Sequence, residues 1–490
     1  MLRSDRTAWI ILVLVAGMTF LAIFNVAATF RAQRAAERAA VREEEEKRAR
    51  FHAEAEAIEY EAARRGEQPP QFQAEARFWD KPGARDSTYV GAWNAPRIVP
   101  PPSPLMLLAT GQSDLVPNSY KVGLYGKLEW QGRGRVNQQL EHPLLLKASR
   151  FDLAFVILYL YPPLILAVSY NMISGERDAR TLPMLLAQPI SLRSLVIGKL
   201  ICRAAFIFGP VIGFSLLGLL LSRTDLSGGN WIRLLWWIIA VLLYGCFWFA
   251  LAALVNAFGK SSAATALALA VLWLAFLFII PSIINFIATT AYPVPARIEY
   301  LNQVRAAEDK SRSDRKRLVA DYLRAHPELA QYGWTIDNLG VGYPQVPEAM
   351  PEKIEAEEAI ALLRPVIARY QRQLDGQQRV VNRLGISSPA ILMQSVLYDL
   401  AGTGKAHHEH FLRQVNAFNE AWNDYFDFKP FHREMVNASD YEHFPRFIYQ
   451  PEMTGAVVKR ILMPLAALAL LPLIIWWLAV RIFRRYPAIG

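Results

Sequence analysis

The sequence predicts a mainly α membrane protein: six transmembrane helices with N and C termini cytoplasmic, plus a composite helical/mixed α+β extracytoplasmic domain. Three observations predict it. Six apolar runs are each long enough to cross a hydrocarbon core of about 30 Å, which takes about 20 residues. Basic residues gather on the short segments that would share one side. Two long polar segments fall together on the other. The 490 residues are 53% hydrophobic with a net charge of +10, too apolar for an ordinary soluble chain.

The first span, Ala8 to Phe30, follows Arg3 and Arg6. Its apolar core exceeds the roughly 7–15 residues of a secretory signal, and no small-x-small cleavage site follows. It is therefore read with that start as 1–30. The first insertion, 31–150, opens on Arg31 to Gly66, rich in alanine, glutamate and arginine with opposite charges three and four apart. Such a stretch favours a long helix continuing out of the membrane. Its apolar face is mostly alanine and needs a partner helix, for which 297–324 and 348–383 in the second insertion are the candidates. The stretch 90–130 is punctuated by prolines and predicts short extended pieces around Tyr120 and Tyr125.

The second span occupies 151–173, and 174–199 forms a cytoplasmic elbow. Three spans follow within 200–287: Leu200 to Leu221, Trp231 to Val255 and Ala263 to Ile287. The second insertion, 288–460, contains the run Ala356, Ile360, Leu363, Ile367, Tyr370 and Leu374 at helical spacing, with Pro365 as a candidate kink and Gly385 as its stop. The sixth span and tail, 461–490, close the chain.

Orientation follows from short loops, because long ones cross regardless of charge. Arg3, Arg6, Arg177, Arg180, Arg193, Lys199, Lys260, Arg481, Arg484 and Arg485 all fall inside if both termini are cytoplasmic. Only Arg223 and Arg233 near the third-to-fourth turn fall outside. Trp231, Trp236, Trp237, Trp476 and Trp477 are placed as interfacial anchors. No basic face interleaved with aromatics suggests nucleic acid. Cys202 and Cys246 lie within spans and read as buried structural thiols.

The elbow, SGERDARTLPMLLAQPISLRSLVIGK from Ser174 to Lys199, is too polar to span and too short to be a domain. It gives the protein a charged surface to press against a soluble motor subunit. The alternative for its charges is helix capping and topology marking.

Glu176, Arg177, Asp178, Thr181, Leu182, Pro189, Ile190, Ser191, Gly198 and Lys199 resemble the signature of ABC-2 type permeases. Arg180 stands where a glycine is usual. Pro101 to Val122 and Ser388 to Phe426 are similar to a branch of these permeases with two large extracytoplasmic insertions forming a domain of unassigned function. That branch usually shows Ala-Gly-Thr-Asp where this chain has Ala401, Gly402, Thr403 and Gly404, so the lost acid removes the basis for a ligand role there.

The resemblance implies a permease subunit of an ATP-binding-cassette exporter in a bacterial inner membrane, not itself an enzyme. It implies no cofactor in this chain, with ATP and Mg in a partner ATPase. The implied partners are a cytoplasmic ABC ATPase dimer, a second permease copy or paralogue, an envelope partner and membrane lipid, and no nucleic acid. Glu176, Arg177, Asp178, Arg180, Thr181 and Leu182 become the ATPase-docking coupling helix. A device that moves its external domain without solute crossing is the alternative.

Other motifs carry less. Gly198-Lys199 and Gly259-Lys260-Ser261 lack the glycine five positions earlier that a P-loop needs, since Arg193 and Leu254 stand there. His407, His408 and His410 could suggest a metal, but neighbouring helical side chains diverge, and a solvated helix start is the plainer reading. The spans hold almost no ionisable groups, unlike an ion-driven carrier. A membrane-anchored periplasmic enzyme would need a catalytic cluster, and none is readable.

Overall fold

The computed structural model describes residues 6–66, 95–111, 113, 117, 119–123, 151–178, 181, 192–334, 349–427, 429, 431–432 and 436–483. Among these, six helices are long and apolar enough to cross a membrane, as expected of backbone that must satisfy its own polar groups in lipid. The first is α1 (Arg6–Arg65), unbroken through the alanine-glutamate-arginine stretch. The second, α2 (153–169), is π-helical over Val156–Leu160 and is followed by a short turn, α3 (Ser174–Asp178). Next come α4 (Leu192–Leu221), α5 (Asn230–Ala257) and α6 (Ser262–Ala291), the last π-helical over Ala275–Ile279.

The second insertion contributes α7 (Arg297–Ser313), α8 (Arg315–Ala325), α9 (Ala349–Leu384), α10 (Pro389–Ala401), α11 (Lys405–Asp427) and the short α12 (Asp440–His443). The final span is α13 (Thr454–Phe483). Both ends of the described chain and α3 lie on one side of the spans, the elbow face. The two insertions occupy the other, the insertion face.

One large core runs through the bundle, where α5 packs most extensively against α13 and also touches α2. Trp237, Tyr244, Phe247 and Trp248 of α5 are fully buried there. Trp237 is thus a core residue rather than an interfacial anchor. Trp231 remains outward, and Trp477 carries the Arg481 guanidinium 3.6 Å from its ring centre. Cys202 and Cys246 are exposed on the outer faces of their helices, correcting the reading of buried thiols. An apolar surround of lipid tails accepts a thiol as readily as a protein core does.

The expected small sheet is one antiparallel pair, β1 (Arg97–Ile98) with β2 (Tyr120–Lys121). Tyr125 lies outside the described residues. The expected helix over 297–324 breaks at Asp314, whose backbone leaves helical geometry. By contrast Pro365 sits, exposed, inside the continuous α9.

The partner of α1 differs from expectation. Instead of 297–324 or 348–383, its Ala55 packs with Phe411, Phe418 and Trp422 of α11 and with Tyr441. Glu59 accepts a 2.9 Å hydrogen bond from the Ala438 amide. An alanine face is shallow, so large rings fill it better than another helix of mixed side chains. Meanwhile α9 pairs with α7 through Leu363, Val304 and Ala307 and with α8 through Ile354, Val319 and Leu323.

A short apolar helix joins the membrane core from the insertion side. Leu392, Met393, Val396, Leu397 and Leu400 of α10 are buried with the spans. Thirteen residues are too few to cross. The end of α9, the turn Gly385–Ser387 and α10 therefore form a re-entrant hairpin. Ser388 caps α10, accepting from Ile391 N, and its hydroxyl donates 3.1 Å to the Phe276 carbonyl in the middle of α6. The Ile391 donor at this buried helix start is thereby satisfied, and Pro389 at its first position carries no N–H.

Candidate functional site

At the elbow face, Asn256 near the end of α5 is the organising side chain. It is 1% exposed. Its amide oxygen accepts from the backbones of Ile173 at 3.3 Å and Ser174 at 3.5 Å. Its amide nitrogen donates to Ser169 at 3.3 Å and Ala252 at 2.8 Å. This closes the C-terminal end of α2, where the Ile173 and Ser174 amides find their acceptor in Asn256.

The three charges of α3 then engage three neighbours. Glu176 accepts a 2.8 Å bond from the Lys199 ammonium of α4 and a bond from the Thr181 hydroxyl. Lys199 also donates to the Met172 carbonyl at 3.1 Å. Arg177 donates to the Gly259 carbonyl in the α5–α6 turn. Asp178 accepts from the Ser262 hydroxyl at 2.6 Å and its amide at 3.2 Å. The Ser262 hydroxyl oxygen also lies 3.1 Å from the Ser174 hydroxyl. Gly259 has φ +65°, a conformation open to glycine at little cost, and this places its carbonyl outward toward Arg177.

Glu176, Arg177, Asp178 and Thr181, singled out in the sequence as the coupling helix, are brought together with Lys199 as a clamp joining α2, α4 and the α5–α6 turn. Arg180 and Leu182 lie outside the described residues, as do Pro189, Ile190 and Ser191. The sequence reading missed Asn256, Gly259 and Ser262. A lone amide in an apolar span is the available signal for Asn256; Gly259 belongs to the rejected phosphate-loop motif, and Ser262 lies one residue beyond it.

On the insertion face a second polar constellation ties the two insertions together. Asp152, 3% exposed, caps α2 by accepting from Phe155 N at 2.7 Å, and it takes both the amide and the hydroxyl of Thr110 at 2.9 and 2.8 Å. Thr403 donates to the Ala109 carbonyl at 3.0 Å. A Cβ placed on Gly404 would sit 3.4 Å from Asp399 Oδ1, in ordinary contact.

Nearby, Arg460 holds Glu452 with two bonds of 2.7 and 3.1 Å and reaches Asp399 at 3.1 Å. Arg233, 6% exposed, donates 2.6 Å to the Glu452 carbonyl. Burial pushes the Asp399 carboxyl up, opposed by Arg460. Burial acts the same way on Glu452, but the Arg460 guanidinium outweighs it and holds that carboxyl below its usual range.

The three histidines diverge, and none belongs to a freely solvated helix start. His407 faces Tyr449, His408 faces Tyr120, and His410 meets Gln414 and the Gln450 carbonyl. Among the described residues no three His, Cys, Asp or Glu side chains converge as a metal site would require. Burial pushes the His407 imidazole down to about 4, so the folded protein holds it neutral where an unfolded chain would protonate near 6.5. Its effect on stability is absent above about pH 6.5. Stability is lost as pH falls from there through about 4, because the unfolded state binds the proton first. In urea titrations from pH 7.5 to 4.5, His407→Phe is expected to flatten this slope measurably.

Residues 136–292 match the profile of the ABC-2 family transporter protein, and residues 297–450 match a domain of unknown function, DUF3526. The first covers the second to fifth spans with the clamp, and the second covers most of the second insertion. No curated protein and no solved structure matches the chain.

Proposed function

From a chain that carries an ABC-2 family transporter domain joined to a DUF3526 domain, and is thus a multi-pass membrane permease of an ABC system rather than its ATPase, we propose the following mechanism. The elbow and both termini face the cytoplasm of a bacterial inner membrane, and the insertions face the periplasm. Arg177, Lys199, Lys260 and Arg481 on the elbow face support this orientation. A pair of such permeases, homo- or heteromeric, binds a dimer of ABC ATPases that supply ATP and Mg. Closure of those ATPases pushes the segment 174–199.

The observation that carries the reading is the clamp. Glu176, Arg177 and Asp178 are engaged within the chain, so they act as a rigid coupler rather than as free docking charges. A push on the elbow then moves α2, α4 and the α5–α6 turn as one body. The reach of α1 from the membrane to the aromatic face of α11 favours a second reading, in which the stroke works the external domain on an envelope partner without solute crossing.

The test is ATP hydrolysis by the cognate ABC ATPase with and without this chain in nanodiscs. Co-purification and a changed hydrolysis rate are expected. An ATPase that neither associates nor responds overturns the reading.

A further inference from the structure

Between α1 and α4, at the insertion face, lies a groove of about 510 Å³. Its floor is apolar: Phe20, Phe24, Phe214, Leu217 and Leu221 line it. Phe20, Phe24 and Leu221 are 58%, 61% and 73% exposed. Gly218 sets the depth of the trough, since a Cβ there would lie 2.5 Å from Ile23. Its rim carries Arg31, Arg34 and Arg38 from α1 and Arg223 from the end of α4. Spacings of three and four place the α1 arginines on one helix face.

None of the four arginines is ion-paired among the described residues. Arg31 Nε donates to the Ala27 carbonyl at 3.2 Å, and Arg34 lies 4.4 Å over the Phe30 ring. Both arrangements leave terminal N–H groups free. The nearest acids, Glu37 and Asp225, act on these arginines only through space.

We propose that this groove binds a phospholipid with a net-anionic headgroup, drawn from the leaflet on the insertion face. The floor lies at the depth of the apolar part of α1, where acyl chains are what the surroundings supply. The rim lies in the first turns beyond it, at headgroup level, where guanidinium groups match phosphate oxygens in geometry and charge. A second copy docked through the same groove would bring two sets of four guanidinium groups together, which like-charge repulsion disfavours. A soluble acidic peptide matches the rim and leaves the floor uncovered. The site concerns lipid rather than ATP coupling, so it stands or falls apart from the function proposed above.

The test is native mass spectrometry of the full chain in neutral detergent, titrated with dioleoyl phosphatidylglycerol or dioleoyl phosphatidylcholine. The phosphatidylglycerol is expected to bind more tightly, losing about fivefold per arginine removed. Arg31→Gln/Arg34→Gln/Arg38→Gln should erase the preference, and the three corresponding Arg→Lys changes should retain part of it. Leu217→Trp should fill the trough and weaken both lipids, which decides the matter if the triple variant fails to fold. Equal binding of the two lipids overturns the proposal. So does glycerol 1-phosphate competing as well as the whole lipid, or Phe24→Cys cross-linking between copies in phosphatidylglycerol-containing liposomes.

Discussion

Glu176→Arg should leave the partner ATPase bound but abolish the permease's effect on its hydrolysis rate, a loss of at least about tenfold in coupling. The carboxylate joins the Lys199 ammonium at 2.8 Å across a part-buried contact and holds Thr181 on its other oxygen. Reversing its charge leaves Lys199 facing a cation, and breaking a buried pair from one side costs about 3–5 kcal/mol. Here the side chains keep 20% and 14% of their surface in contact with solvent, so about 2 kcal/mol is the better figure. That suffices to free α3 from α4 while α2 stays tied through Asn256. Exchanging the partners, Glu176→Lys with Lys199→Glu, should restore most of the coupling. Hydrolysis rates measured with co-purification separate the two roles: a docking charge loses the ATPase itself, whereas a coupler loses only its response.

Gly111→Ala and Gly402→Ala should each destabilise the insertion face by about 3 kcal/mol. Both glycines have positive φ, +56° and +66°, where a side chain costs roughly 1–2 kcal/mol. Each also abuts the opposite insertion. A Cβ on Gly111 would lie 2.5 Å from Thr403 Oγ1 and 2.7 Å from its carbonyl oxygen. A Cβ on Gly402 would lie 2.6 Å from Ser103 Oγ. The Thr403 carbonyl is backbone and cannot rotate away, so Gly111 is the more sensitive position. Limited proteolysis of the insertions and urea midpoints check this. A Gly404→Ala change meets only ordinary contacts at its Cβ, so its stability should change by less than about 1 kcal/mol.

What was legible in the sequence follows from how far each signal reaches. Span length and apolar character are local, so six helices could be read from runs such as Trp231 to Val255, and α1 from its alanine-glutamate-arginine pattern. Which helix covers an alanine face depends on contacts hundreds of residues apart, so the pairing of Ala55 with Trp422 was not legible. Periodicity marked Ile360 and Leu363 as facing a neighbour without saying which. The elbow charges were visible as charges, but whether Asp178 faces a partner or Ser262 is a question of tertiary distance. Likewise α10 looks like any short amphipathic helix until its apolar side is seen among the spans.

The re-entrant hairpin has a mechanical consequence. Ser388 grips α6 at mid-length. The loop just beyond α10 grips the start of α2 through Thr403, Ala109, Thr110 and Asp152. At the opposite face α2 and α6 are joined again by Ser174, Asp178 and Ser262. Together with the Ala109–Thr110 segment, α2, α6 and α10 form a closed four-bar linkage, in which hinging α6 against α2 about their shared elbow-face joint obliges α10 to tilt. A stroke of a few ångströms at the elbow-face pivot would therefore emerge at the insertion face as an angle, with α10 as the crank.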